Sequence, residues 1–86
     1  MKWKEIENHL CASIQLKDFS TAFACMTEIA FAVEKMDHHP EWTNIYNKIN
    51  FRLNTHTAGD KVTAKDHKLA ELITSICQKY GPKSVE

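Results

Sequence analysis

The sequence predicts an α+β fold: a single-layer antiparallel sheet of about four strands with helices packed on one face. Three observations carry this. Apolar and polar residues alternate over residues 10–16 and again over 43–53, the period of a half-buried strand. Two other stretches, starting at Phe19 and at Thr63, space their apolar residues three and four apart, the period of a helix. Strands and helices do not alternate strictly, and no glycine-rich phosphate turn joins them, which points away from a parallel sheet. A chain of 86 residues has room for one domain, residues 1–86.

Taken in order, residues 3–7 read as a short strand opened by Trp3, with Asn8 as a turn residue. Residues 10–16 place Leu10, Ala12, Ile14 and Leu16 on one face of a second strand. Asp18 reads as the N-cap of a helix that runs from Phe19 to about Met36 without glycine or proline. Phe19, Ala22, Phe23, Met26, Ala30 and Val33 form its predicted buried stripe. Ala24, Cys25, Ile29, Phe31 and Ala32 fall outside that stripe, so the helix is apolar around most of its girth. One sheet cannot cover such a helix, and a homodimer or homotetramer packed through helix 19–36 is expected. Pro40 disfavours helical geometry before it and stops the helix near His39. Residues 43–53 read as one long strand, with Ile45, Ile49, Phe51 and Leu53 on one face, paired antiparallel with 10–16. A loop over 54–60 follows, and Lys61-Val62 can add a short pairing. Thr63 and Asp66 fit a capping box, Leu69, Leu72, Ile73 and Ile76 make the stripe of a second helix, and Gly81-Pro82 ends it.

Composition narrows the function classes. Eleven basic residues cancel eleven acidic ones. A small nucleic-acid binder normally shows a basic excess, because counterion release drives its affinity, so no direct nucleic-acid partner is expected. No apolar run approaches the ~20 residues that cross a bilayer, and Met1-Lys2-Trp3-Lys4-Glu5 does not open a secretory signal. Three widely spaced cysteines, Cys11, Cys25 and Cys77, make neither a disulfide framework nor a C-x-x-C site. Reduced, buried thiols and a cytoplasmic location are the expectation.

Five histidines in 86 residues are the chemical signature. His38 and His39 are adjacent where Pro40 breaks the helix, and leaving the helix there lets both rings turn toward one pocket. Glu34 precedes His38 by four residues, on the same helical face, so a carboxylate–imidazole pair is expected between them. A helix C-terminus and nearby acids favour the imidazolium. Imidazoles serve as both acid and base at neutral pH. His56 stands at the far end of the long strand, and Trp42 can wall a flat ligand. A zinc site of His38, His39 and His56 lacks the H-x-x-x-H or H-E-x-x-H spacing that holds ligands rigidly, so no metal is assigned.

The runs Glu34-Lys35-Met36-Asp37-His38-His39-Pro40-Glu41-Trp42, Ile45-Tyr46-Asn47-Lys48, Leu53-Asn54-Thr55-His56 and Thr63-Ala64-Lys65-Asp66 resemble the pterin-4a-carbinolamine dehydratases. The similarity extends upstream through Lys17-Asp18-Phe19 and Ala22-Phe23 to Trp3, and downstream through Leu69-Ala70. It implies four antiparallel strands with helices on one side. It implies removal of water from 4a-hydroxytetrahydrobiopterin to give quinonoid dihydrobiopterin, in tetrahydrobiopterin recycling, with no metal or redox cofactor. The family's catalytic histidines fall on His38, His39 and His56, and its supporting substrate-binding positions on Glu34, Asp37, Trp42, Thr55 and Asp66. The segment between His56 and Asp66 is one residue longer than in the vertebrate pattern. An alternative implied by the same resemblance is a non-catalytic module that binds the dimerisation helices of a transcription factor as a coactivator.

Overall fold

Two tight hairpins and two helices account for nearly all of the chain in a computed structural model, which describes residues 1–85. The elements are β1 (Lys4–Ile6), β2 (His9–Gln15), α1 (Phe19–Met36), β3 (Glu41–Ile45), β4 (Lys48–Leu53), a 3₁₀ turn (His56–Ala58), α2 (Ala64–Gln78) and β5 (Lys83–Ser84). The strands form one antiparallel sheet in the order β1-β2-β4-β3. β4 occupies one edge of β2 along its length, so β1 and the short β5 share the other edge. The α+β expectation holds. β5, paired through Ile14 and Gln15, is an addition to the four strands expected.

The β1–β2 hairpin closes on Glu7 and Asn8, both in the left-handed region with φ of 48° and 64°. That conformation at both central positions matches the right-handed twist of the flanking strands. β2 then buries Leu10, Ala12, Ile14 and, just past its end, Leu16.

Residues 43–53 do not form one strand. β3 and β4 are separated by a turn at Tyr46-Asn47, with Ile45 paired to Lys48 and Trp42 to Phe51. The reason lies in Asn47. A continuous strand would put Ile45, Asn47 and Ile49 on one face and bury an amide among aliphatic side chains. Instead the chain reverses. Tyr46 takes a φ of 53°, and the Asn44 side chain donates to the carbonyls of Tyr46 and Lys48 at 3.0 and 2.9 Å. Asn47 ties the turn to the end of β2, exchanging hydrogen bonds with the Leu16 backbone. Ile45, expected on the core face, is 69% exposed.

Asp18 caps α1 as expected, accepting from the Thr21 N–H at 2.8 Å. The buried stripe of α1 is Ala22, Cys25, Ile29 and Val33, rotated from the predicted one. Phe19 and Phe23, assigned to the core from sequence, are 47% and 56% exposed, and Phe31 is 72% exposed. A helix with two apolar stripes gives periodicity no means of choosing between them. α1 ends at Met36, before His39, because Asp37 adopts a left-handed cap with φ 53° and ψ 39°.

Both helices cover the same face of the sheet. Ile49, Phe51 and Leu53 of β4 and Ile14 of β2 meet Ile29, Leu69 and Ile73 in one core. Phe51 is flanked by Trp3 and Trp42, with ring centroids 5.9 and 6.1 Å away. Trp3 also donates its Nε1–H to the Thr74 hydroxyl of α2 at 2.9 Å. At the far end, the Glu28 carboxylate of α1 accepts from Tyr80 at 2.7 Å and from Lys79, clasping the two helices. No helix among the described residues is long and apolar enough to cross a membrane.

The hairpin reading has a direct test. A non-glycine residue in the left-handed region costs ~1–2 kcal/mol, so Tyr46→Gly should leave urea-unfolding stability unchanged or raise it by up to ~1 kcal/mol. In a continuous strand the same change would lower it by ~0.5–1 kcal/mol.

Candidate active site

The centre of the site is built by α2's first turn. Thr63 caps α2, its hydroxyl accepting from the Lys65 N–H, and Asp66 reaches back so that Oδ2 accepts from the Thr63 N–H at 2.8 Å. Asp66 is fully buried, a cost that its hydrogen bonds must offset. Oδ2 also accepts from the Thr55 hydroxyl at 2.8 Å, and Oδ1 from His38 Nε2 at 2.7 Å. Thr55 spends its one hydrogen on the carboxylate, so the 2.7 Å contact between Thr55 and Thr63 has Thr63 as donor. Burial pushes the Asp66 carboxyl up, but the bonds from His38, Thr63 and Thr55 outweigh it and hold the group below its ordinary value.

The left-handed cap at Asp37 turns the two adjacent histidines apart. His38 goes inward to Asp66. His39 goes outward, its Nε2 lying 3.0 Å from Glu34 Oε1. The pair expected between Glu34 and His38 is therefore made by Glu34 and His39 instead. The helix ends before His38, so the four-residue helical spacing no longer governs where that ring goes. His56 opens the 3₁₀ turn and is 90% exposed on its side chain, with Nδ1 2.8 Å from Asp60 Oδ1.

An ionised carboxylate only accepts hydrogen bonds, so in each pair the histidine nitrogen carries the proton. This fixes the free nitrogen of each ring: Nδ1 on His38 and His39, Nε2 on His56.

Asp37, His38, His39, Thr55 and His56 line one open cleft of about 370 Å³ between the end of α1 and the loop after β4. Asn54, Thr57 and Lys65 complete its wall and were not singled out from sequence. Glu34 and Trp42 line a smaller adjoining cavity of about 160 Å³, and His39 borders both. Asp66 lines neither; it stands behind His38 as a support. Asp60 was also missed, although its position four residues after His56 was visible in the loop. A larger cavity of about 510 Å³, between Met1, Trp3 and α2, contains one histidine, His67, and lies away from these groups.

Among the described residues, one set has metal-ligating atoms within 4.8 Å of each other: Glu34, Asp37 and His39, all exposed. His38 and His56 are not part of it.

Fold and cleft define a class: small α+β proteins that present carboxylate-held histidines to a ligand-sized cleft. Comparison with known proteins narrows it. Residues 1–76 match the model of the pterin 4 alpha carbinolamine dehydratase family, and the chain belongs to that family. It is 45% identical over 74 residues to a protein of Prochlorococcus marinus provisionally named a pterin-4-alpha-carbinolamine dehydratase, covering 86% of this chain and 76% of that one. A Rhodopseudomonas palustris protein of the same provisional name is 41% identical over 81 residues, covering 92% and 79%. The crystal structure of a transcriptional coactivator/pterin dehydratase from Brucella melitensis superposes with a TM-score of 0.80 at 41% identity, covering 86% of this chain and 80% of that one.

The Asp66 network sets a pH dependence. The folded chain holds this carboxyl below its unfolded value, so its contribution to stability is full above about pH 4 and is lost as pH falls through the folded value. Asp66→Asn should lower stability at pH 7 by ~1–3 kcal/mol, because an amide nitrogen meets a donor. It should also flatten the acid limb below about pH 4 in urea unfolding. An acid limb identical to wild type would remove Asp66 as its source.

Proposed function

We propose that the protein removes water from 4a-hydroxytetrahydrobiopterin to give quinonoid dihydrobiopterin, by histidine general acid–base catalysis. The observation that carries this reading is the cleft shared by His38, His39 and His56, each ring held on one nitrogen by a carboxylate and free on the other. Family membership supports it.

The carbinolamine carries a hydroxyl on C4a beside a ring N–H. A general acid protonates the departing oxygen, the C–O bond breaks, and the nitrogen lone pair forms the new C=N bond. A general base takes the N–H proton. The balance is one water lost, and the step asks only for two proton-transfer groups across a flat ring. His38 and His56 take the proton-transfer roles, and His39 positions the ligand. Glu34 and Asp37 orient and charge the histidines. Trp42, beside His39 and Glu34, flanks the pterin. Thr55 and Asp66 act through His38. The reaction would serve cofactor recycling in the cytoplasm.

Phe19, Phe23 and Phe31 on the outer side of α1 support assembly of copies through this helix into a homodimer or homotetramer. The same side chains favour a second reading, a protein-binding module in the sense of the Brucella neighbour's coactivator description. That reading gives the three carboxylate–histidine pairs no task.

Stopped-flow dehydration of the 4a-carbinolamine, read against its spontaneous rate, tests the first reading. Wild type should accelerate it, and His56→Ala should lower the catalysed rate by ~10²–10⁴ while keeping the folded spectrum. A folded wild type that leaves the spontaneous rate unchanged would transfer the case to the binding module. For assembly, Phe31→Lys should shift sedimentation toward the monomer, since a lysine cannot be desolvated there without a partner. A wild-type monomer at micromolar concentration would remove the interface.

A further inference from the structure

Cys25 of α1 and Cys77 of α2 are separated by 52 positions in sequence, yet their sulfurs stand 3.4 Å apart. Both are fully buried where the two helices pack. The pair has no part in the cleft chemistry. At about 1.5 Å of rise per residue, Cys25 lies on the order of 20 Å along α1 from His38. We propose that Cys25 and Cys77 are an oxidisable dithiol, which peroxide converts into a disulfide that staples α1 to α2.

The geometry needs little change. A disulfide has its sulfurs about 2.05 Å apart, so the two must approach by about 1.4 Å, within reach of side-chain rotation and a slight closing of the helices. Burial selects the oxidant. Hydrogen peroxide is little larger than water and reaches positions closed to bulky disulfides such as oxidised glutathione. The environment selects the first sulfur. The hydrogen bond with Cys77 holds the Cys25 thiol down against burial and the Glu28 charge, while the same bond, with burial, holds the Cys77 thiol up.

The Cys25 thiolate attacks one peroxide oxygen, the O–O bond breaks, and hydroxide leaves; the sulfur is now a sulfenic acid. The Cys77 sulfur attacks it, the S–O bond breaks, and the departing hydroxide takes up the Cys77 proton as water. In sum two thiols and one hydrogen peroxide give one disulfide and two waters. The sulfurs together lose two electrons and the peroxide gains them. The closed loop spans most of the chain between the helices, which removes conformational freedom from the unfolded state. Cys11, partly exposed on β2 and 3.8 Å from the His9 carbonyl, has no such neighbour.

The test uses the whole protein treated with hydrogen peroxide, then alkylated in denaturant. Expected are the loss of two of the three alkylatable thiols, a mass about 2 Da lower before alkylation, and a Cys25–Cys77 peptide in the digest. The melting temperature should rise with oxidation and return with dithiothreitol. Cys25→Ala and Cys77→Ala should each abolish the rise, and whichever folds better serves as the control. Full alkylation of Cys25 and Cys77 after peroxide, or a disulfide that maps to Cys11, would overturn the proposal. A Cys25–Cys77 disulfide that leaves the melting temperature unchanged would overturn the staple.

Discussion

One buried carboxylate, that of Asp66, holds together the three segments from which the cleft is made. Its oxygens accept from the Thr63 backbone at the start of α2, the Thr55 hydroxyl after β4, and His38 after α1. Each donor comes from a different part of the chain. An ionised group with no exposure is tolerable only where hydrogen-bond donors replace the water it has lost, and three do so here, with both oxygens engaged. Local folding and cleft geometry thus rest on the same two atoms. The capping box that starts a helix is also the support that aims a histidine.

The left-handed turn at Asp37 is the second constraint. Two neighbouring histidines on a continuing helix would diverge by about 100° and share no useful surface. Ending the helix at Met36, with Asp37 turned left-handed, sends His38 into the protein and His39 out to Glu34, and both still border one cleft. Non-glycine residues in this conformation carry a cost, and aspartate is among those that bear it best.

What could be read from sequence was local. Asp18 and Thr63 announce their helices because a capping side chain and the residues it serves lie within one turn. The cleft histidines stood out through their adjacency and the proline after them. What escaped was decided by tertiary contact. Ile45 and Ile49 share parity, so residues 43–53 looked like one strand; only Asn47, polar at a core position, marked the turn. α1 offered two apolar stripes, and the sheet, not the helix, chose Ala22, Cys25, Ile29 and Val33. Glu34 was assigned to His38 because helical spacing was extended two residues past Met36, where the helix stops. β5 has two residues and no pattern to read. The Cys25–Cys77 contact joins residues that no spacing rule connects.

The three carboxylate–histidine pairs differ in one respect with consequences for the environment the protein works in. His38 and Asp66 are shielded from solvent, whereas Glu34–His39 and His56–Asp60 stand open to it. Water competes for a hydrogen bond that stands open to it and not for one shut away from it. The two outer rings can trade their carboxylates for solvent, while the inner one stays aimed. The cleft has one fixed wall and two adjustable ones.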